Sequence, residues 1–97
     1  MRADKEVYEF EWDIGNINKN IKHKVADKEV EEIFFDKNKV AYKDLLHSNK
    51  EKRYILLGKT KTNRLLFVVF TIRKNRIRII SARDLNKKEV SLYEKKS

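Results

Sequence analysis

Leu65-Leu66-Phe67-Val68-Val69-Phe70-Thr71-Ile72-Arg73-Lys74-Asn75-Arg76-Ile77-Arg78-Ile79-Ile80-Ser81-Ala82-Arg83 is the stretch from which the fold of this 97-residue chain can be read. Residues 65–72 are almost continuously apolar, as a central strand covered on both faces requires. Lys74-Asn75 has the length of a two-residue hairpin turn. From Arg76 to Ala82, Ile77 and Ile79 fall on one face and Arg76 and Arg78 on the other, the alternation of a second strand. Moving towards the N-terminus, a turn at Lys61-Thr62-Asn63 precedes a strand over residues 53–59. Residues 45–52 read as a polar loop, Val40 and Tyr42 as a short edge strand, and residues 36–39 as a turn. Towards the C-terminus, Asn86-Lys87-Lys88-Glu89 has capping-box spacing and opens a last helix that runs towards Tyr93.

The first third of the chain supplies the remaining elements. Val7-Tyr8-Glu9-Phe10-Glu11-Trp12 alternates strictly, with Tyr8, Phe10 and Trp12 on one face, and reads as a strand. Asp13 is placed to cap a helix whose stripe is Ile14, Ile17 and Ile21 and which ends near His23. Asp27 is placed to cap a second helix with Val30, Ile33 and Phe34 as its stripe. The expected order is βααββββα. It describes an α+β domain over residues 1–97, a small antiparallel sheet packed on helices.

Charge divides the chain. Residues 1–36 carry six basic and ten acidic side chains, and residues 37–97 carry eighteen and five, within an overall net charge of +9. Arg64, Arg73, Arg76, Arg78 and Arg83 fall within twenty residues. Such a concentration of planar, phosphate-matching forks attracts polyanions, nucleic acid first among them. The plainer alternative is a basic surface that only keeps the protein soluble. The absence of cysteine excludes disulfides, thiolate zinc sites and thiol catalysis. No apolar run approaches the ~20 residues of a membrane helix, and residues 1–11 lack the apolar core of a signal peptide, so a cytoplasmic protein is expected. His23 and His47 lie far apart without metal-ligand spacing, and Gly15 and Gly58 stand alone rather than in a phosphate loop, so neither a metal nor a cofactor is expected.

RNA cleavage without a metal makes smaller demands. The 2′-hydroxyl is the nucleophile, so the protein must orient it, move protons and hold the charge that grows on the phosphate. The residue types for those tasks occur in the basic half as His47, Arg53, Arg83, Glu89 and Tyr93. Glu89 and Tyr93 share a face of the last helix. Around them, His23, Arg73, Arg76, Arg78, Lys87 and Lys88 are candidates for holding RNA. Each has a structural alternative. Glu89 completes a capping box, Tyr93 can pack on the sheet, and Arg53 can pair with an exposed acid. His23 can cap a helix dipole, and Arg83 can pair with Asp84 or Glu89 to anchor the last helix. The rival function is a basic module that binds nucleic acid and cuts nothing.

The ordered set Phe10-Glu11-Trp12-Asp13, Asn20…His23…Val25, Ile33-Phe34-Phe35-Asp36, Asp44…His47, Arg53, Gly58, Val68-Val69-Phe70-Thr71, Arg78-Ile79-Ile80-Ser81-Ala82-Arg83 and Lys88-Glu89…Tyr93-Glu94 resembles the BrnT toxins of bacterial type II toxin–antitoxin systems. The resemblance implies a RelE-like fold and a metal-independent endoribonuclease that inhibits growth. It also implies a BrnA-like antitoxin that binds operator DNA and represses the shared operon in the complex. Carried onto this chain, it makes Arg53 and Arg83 phosphate-stabilising groups, His47 and Glu89 proton-transfer groups, and Tyr93 an orienting or proton-transfer group. Three positions depart from the family's pattern. Ile14 stands where proline is usual, Lys24 where glycine is usual, and Lys52 where glutamate commonly precedes the arginine. Lys24 removes the easy left-handed cap at the end of the helix near His23.

Overall fold

The computed structural model describes residues 8–46 and 51–96. In chain order the elements are β1 (Phe10–Glu11), a 3-10 segment (Lys19–His23), α1 (Asp27–Ile33), β2 (Val40–Lys43), β3 (Tyr54–Lys59), β4 (Leu65–Arg73), β5 (Arg76–Asp84) and α2 (Lys87–Lys96). They form an α+β fold in which β1-β5-β4-β3-β2 make one five-stranded sheet. Strands β2 to β5 are an antiparallel meander, as expected, but β1 lies parallel to β5, with Phe10 opposite Ile77 and Glu11 opposite Arg78. The sheet is therefore mixed rather than wholly antiparallel. Lys74 and Asn75 both have positive φ, 50° and 65°, which gives the hairpin the turn twist that suits its strands. Among the described residues no helix is long and apolar enough to cross a membrane.

One face of the sheet carries the larger core. Leu56, Leu66, Val68, Phe70, Ile77, Ile79 and Ala82 pack there against Val25 and against Val30, Ile33 and Phe34 of α1, with Tyr8, Phe10 and Trp12 along the margin. Gly58 lets α1 come this close, because a Cβ built there would lie 2.8 Å from Ile33 Cβ. The opposite face is covered in part by α2. Tyr93 and Leu92 sit on Ile55, Leu57, Phe67 and Val69. The capping box is formed in full, the Glu89 carboxylate accepting from the Asn86 N–H and Asn86 Oδ1 from the Glu89 N–H, each at 2.9 Å.

Two expectations for the first third are corrected. Residues 14–18 are turns and only Lys19–His23 is helical, as a 3-10 segment, so no α-helix follows Asp13. Its expected apolar stripe faces solvent, with Ile14 100%, Ile17 49% and Ile21 59% exposed. Asn16 and Asn20 are buried instead, because they satisfy the edge of β5. Asn16 Nδ2 donates to the Ile79 carbonyl at 3.2 Å, and Asn20 Oδ1 accepts from the Ala82 N–H at 2.9 Å. Asp13 does organise the turn, accepting from the Gly15 N–H at 2.8 Å. The cap of α1 lies one residue earlier than expected, at Ala26, whose N–H donates to Glu29 Oε1, and Asp27 instead accepts from the Asn18 N–H. Lys24 takes the left-handed conformation, φ 60° and ψ 34°, although it is not glycine.

Candidate active site on the arginine face of the sheet

A bulge decides which side chains reach the site. Phe70 pairs with Ile79 and Val69 with Ser81, so Ile80 is an extra residue in β5. Strict alternation from Ile77 and Ile79 would turn Arg83 into the α1 core. The extra residue reverses the parity, so Ala82 enters the core and Arg83 comes opposite Phe67 on the other face. There its guanidinium lies 3.9 Å from the centre of the Phe67 ring. Arg83 Nη1 and Nη2 each donate to the Glu89 carboxylate at 2.8 Å, and Nη1 also donates to the Asp84 carbonyl at 3.1 Å. Glu89 thus takes the end of the fork. No carboxylate among the described residues takes its Nε–Nη2 edge, the edge best suited to a bidentate phosphate contact. The paired guanidinium holds the Glu89 carboxyl below the usual carboxylate range, against the opposing effect of burial.

Beside this pair the sheet face is open. Asp44, Leu46, Arg53, Ile55, Phe67, Val69, Ile80 and Ser81 line a cleft of about 370 Å³. Arg53 is therefore on the same face as Arg83. The sequence reading missed Tyr42, which lies opposite Ile55 on this face and is 39% exposed. Burial first, then the negative charges of Glu89 and Asp44, raise its pKa, while Arg83 opposes the shift. The alternation of β2 already puts Tyr42 on the face of Val40. That this face adjoins Arg83 depends on the sheet order. Tyr93 is placed differently. It is 4% exposed, and its hydroxyl donates to Asp36 Oδ2 at 2.6 Å, tying α2 to the turn before β2. Burial, reinforced by the Asp36 carboxylate, pushes its pKa well up. His47 lies outside the described residues.

The remaining arginines are largely spoken for by carboxylates. Arg78 pairs with Glu11 and Asp13, Arg73 with Glu51, and Arg64 with Asp84 and Glu29. Arg76 donates to the Phe10 carbonyl at 3.4 Å. The acidic first third thus neutralises part of the basic cluster through long-range pairs. Lys87 and Lys88 are exposed in the first turn of α2, and His23 ends the 3-10 segment with its carbonyl accepting from Arg64 at 3.4 Å. A larger cavity, about 620 Å³, lies beside α1, where lysines and acids are mixed, among them Lys28, Glu31, Asp36 and Lys61. Among the described residues no three His, Asp or Glu side chains are grouped to hold a metal ion.

Comparison with curated proteins finds no match. A family model described as the ribonuclease toxin BrnT of type II toxin–antitoxin systems matches residues 12–89, a span that includes Arg53, Arg83 and Glu89 and stops short of Tyr93. With Arg53, Arg83 and Glu89 inside that span and on one face of a mixed five-stranded sheet, the chain belongs to the BrnT family of ribonuclease toxins.

Proposed function

We propose that the Arg53–Arg83 face binds RNA and cleaves it without a metal ion, in a cytoplasmic, single-domain toxin of RelE-like fold. The observation that carries this reading is the juxtaposition of Arg83, held by Glu89 and Phe67 with its Nε–Nη2 edge clear of other carboxylates among the described residues, and a cleft lined by Arg53. In the proposed step the 2′-oxygen attacks the adjacent phosphorus, and the bond to the 5′-oxygen breaks. One proton leaves the 2′-hydroxyl and another reaches the departing oxygen. The products are a 2′,3′-cyclic phosphate and a 5′-hydroxyl. Arg53 and Arg83 stabilise the charge that builds on the phosphate.

The other roles follow from chemistry. Glu89 has both oxygens engaged and a lowered pKa, so it suits the positioning of Arg83 better than proton transfer. Proton transfer is assigned to His47 on its residue type. Tyr42, a half-exposed ring on the same face, is suited to stacking a base of the substrate. Tyr93 positions α2 through Asp36. Lys87 and Lys88, with Arg76, add charge for RNA, and His23 offers a ring nitrogen, whereas Arg73 and Arg78 serve first as ion-pair partners. A cognate BrnA-like antitoxin neutralises the toxin and carries the complex to operator DNA. Incubating the purified protein with RNA in excess chelator tests the reading. Cleavage that leaves cyclic-phosphate ends is the expected result. Binding with intact RNA would favour the non-catalytic module instead.

A further inference from the structure

Residues 14–24 invert the usual rule for a segment packed on a sheet. Their asparagines, Asn16 and Asn20, are 4% and 2% exposed, while Ile14, Ile17 and Ile21 face solvent. The inversion is built in rather than incidental. The asparagine side chains take the place of a neighbouring strand, occupying the Ile79 carbonyl and the Ala82 N–H of β5. Rotating the segment to bury its isoleucines would forfeit those bonds and leave buried backbone groups of β5 without partners. Folding therefore does not explain the three isoleucines. Three exposed isoleucines within eight residues, set among polar groups on a small protein, are characteristic of a surface that another protein covers.

The charges around these isoleucines describe that partner. Lys19, Lys22 and Lys24 are exposed, and no acidic residue occurs between Asp13 and Asp27. We propose that Ile14, Ile17 and Ile21, rimmed by these lysines, are the docking ridge for an acidic, amphipathic segment of the protein antitoxin. This rests on the toxin–antitoxin reading above. A second copy of the chain presenting the same ridge would bring like charges together. Three isoleucines on a short, pinned segment also offer less than stable membrane anchoring needs. The segment that carries the ridge is hydrogen-bonded to β5, the strand that also carries Arg83.

The test uses the full chain and the antitoxin co-expressed from the native operon. Ile17→Asp with Ile21→Asp is expected to weaken antitoxin binding by about 30-fold or more, with RNA cleavage by the free toxin and the thermal midpoint both kept. Lys19→Glu with Lys22→Glu should also weaken binding, and it provides a second variant if the first does not fold. Parent-like affinity in folded variants would overturn the ridge while leaving the antitoxin reading intact. A parent protein that binds no antitoxin would overturn that reading itself, and the ridge with it. Two further outcomes overturn the proposal. One is a dimer of the isolated parent in sedimentation that the isoleucine substitutions abolish. The other is ridge-dependent binding to phosphatidylcholine–phosphatidylglycerol vesicles.

Discussion

The guanidinium of Arg83 rests on Phe67, meets Glu89 end-on and keeps its Nε–Nη2 edge clear of carboxylates among the described residues. A side chain fixed in this way can meet a growing charge without first being ordered, which is the condition for a large catalytic contribution. Arg83→Ala is expected to slow single-turnover cleavage on the order of 10²–10³ while RNA affinity is largely kept. Arg83→Lys should restore only part of the rate, because it keeps the charge and loses the fork. Glu89→Gln leaves the arginine charged but loosely held, so kcat should fall more than KM changes. Tyr42→Phe should bind RNA like the parent, and Tyr42→Ala should lose roughly 1–3 kcal/mol of affinity if the ring stacks a base. If Arg83 only anchors α2, its removal will lower the thermal midpoint and activity together. A folded Arg83→Ala protein that cleaves at the parent rate would sink the assignment.

Among the elements, the segment before α1 carries the clearest local strain. Lys24 occupies the left-handed region, and its N–H donates to the Ile21 carbonyl at 2.8 Å to close the 3-10 segment. A left-handed conformation costs a residue with a Cβ roughly 1–2 kcal/mol. The tertiary structure holds it there. Asn20 ties the 3-10 segment to β5, and Val25 is fully buried, so Lys24 alone joins the end of that segment at His23 to the core. Lys24→Gly should remove the strain, offset in part by about 0.5–1 kcal/mol of glycine's greater freedom in the unfolded chain. The expected net gain is about 0.5–1 kcal/mol, read as a higher urea midpoint at unchanged slope. A lower midpoint would show that the lysine side chain itself holds the turn.

For the molecule as a whole, the charge division seen along the chain becomes a set of ion pairs. Glu11 and Asp13 reach Arg78, and Glu29 reaches Arg64, joining the acidic first third to the basic remainder. Asp13, Glu51, Asp84 and Glu89 have pKa values lowered by their arginine partners. Asp36 is lowered because hydrogen bonds from Tyr93, Asn38 and Lys59 outweigh its burial. A folded-state pKa below the unfolded one adds stability above the unfolded value and loses it as pH falls through the folded one. These carboxylates should therefore keep unfolding stability level from neutral pH down to about 5 and lower it steadily below about 4. Glu89→Gln should flatten part of that fall, since it removes one of the titrating groups. Urea melts at several pH values check both, and stability unchanged at pH 3 would contradict the role of the pairs. Exposed pairs contribute little each, so the effect depends on several titrating together.

The sequence alone was enough for β2 to β5, the hairpin at Lys74-Asn75 and the capping box at Asn86–Glu89, because alternation and turn chemistry are local properties of the chain. The strand expected over residues 7–12 is, among the described residues, a strand only at Phe10–Glu11. The chain's arginine cluster pointed to a polyanion, and its ordered motifs resembled the ribonuclease toxins whose family model it matches. Three features required the folded molecule. The parallel placement of β1 depends on which sheet edge is left to pair. The burial of Asn16 and Asn20 in preference to three isoleucines depends on unpaired β5 groups that no local pattern reveals. The direction of Arg83 depends on a single extra residue, Ile80, which shifts the register of β5 against β4 and moves the arginine from the core side to the open face. A one-residue shift reverses every side chain beyond it, and only pairing with the neighbouring strand determines where that shift occurs.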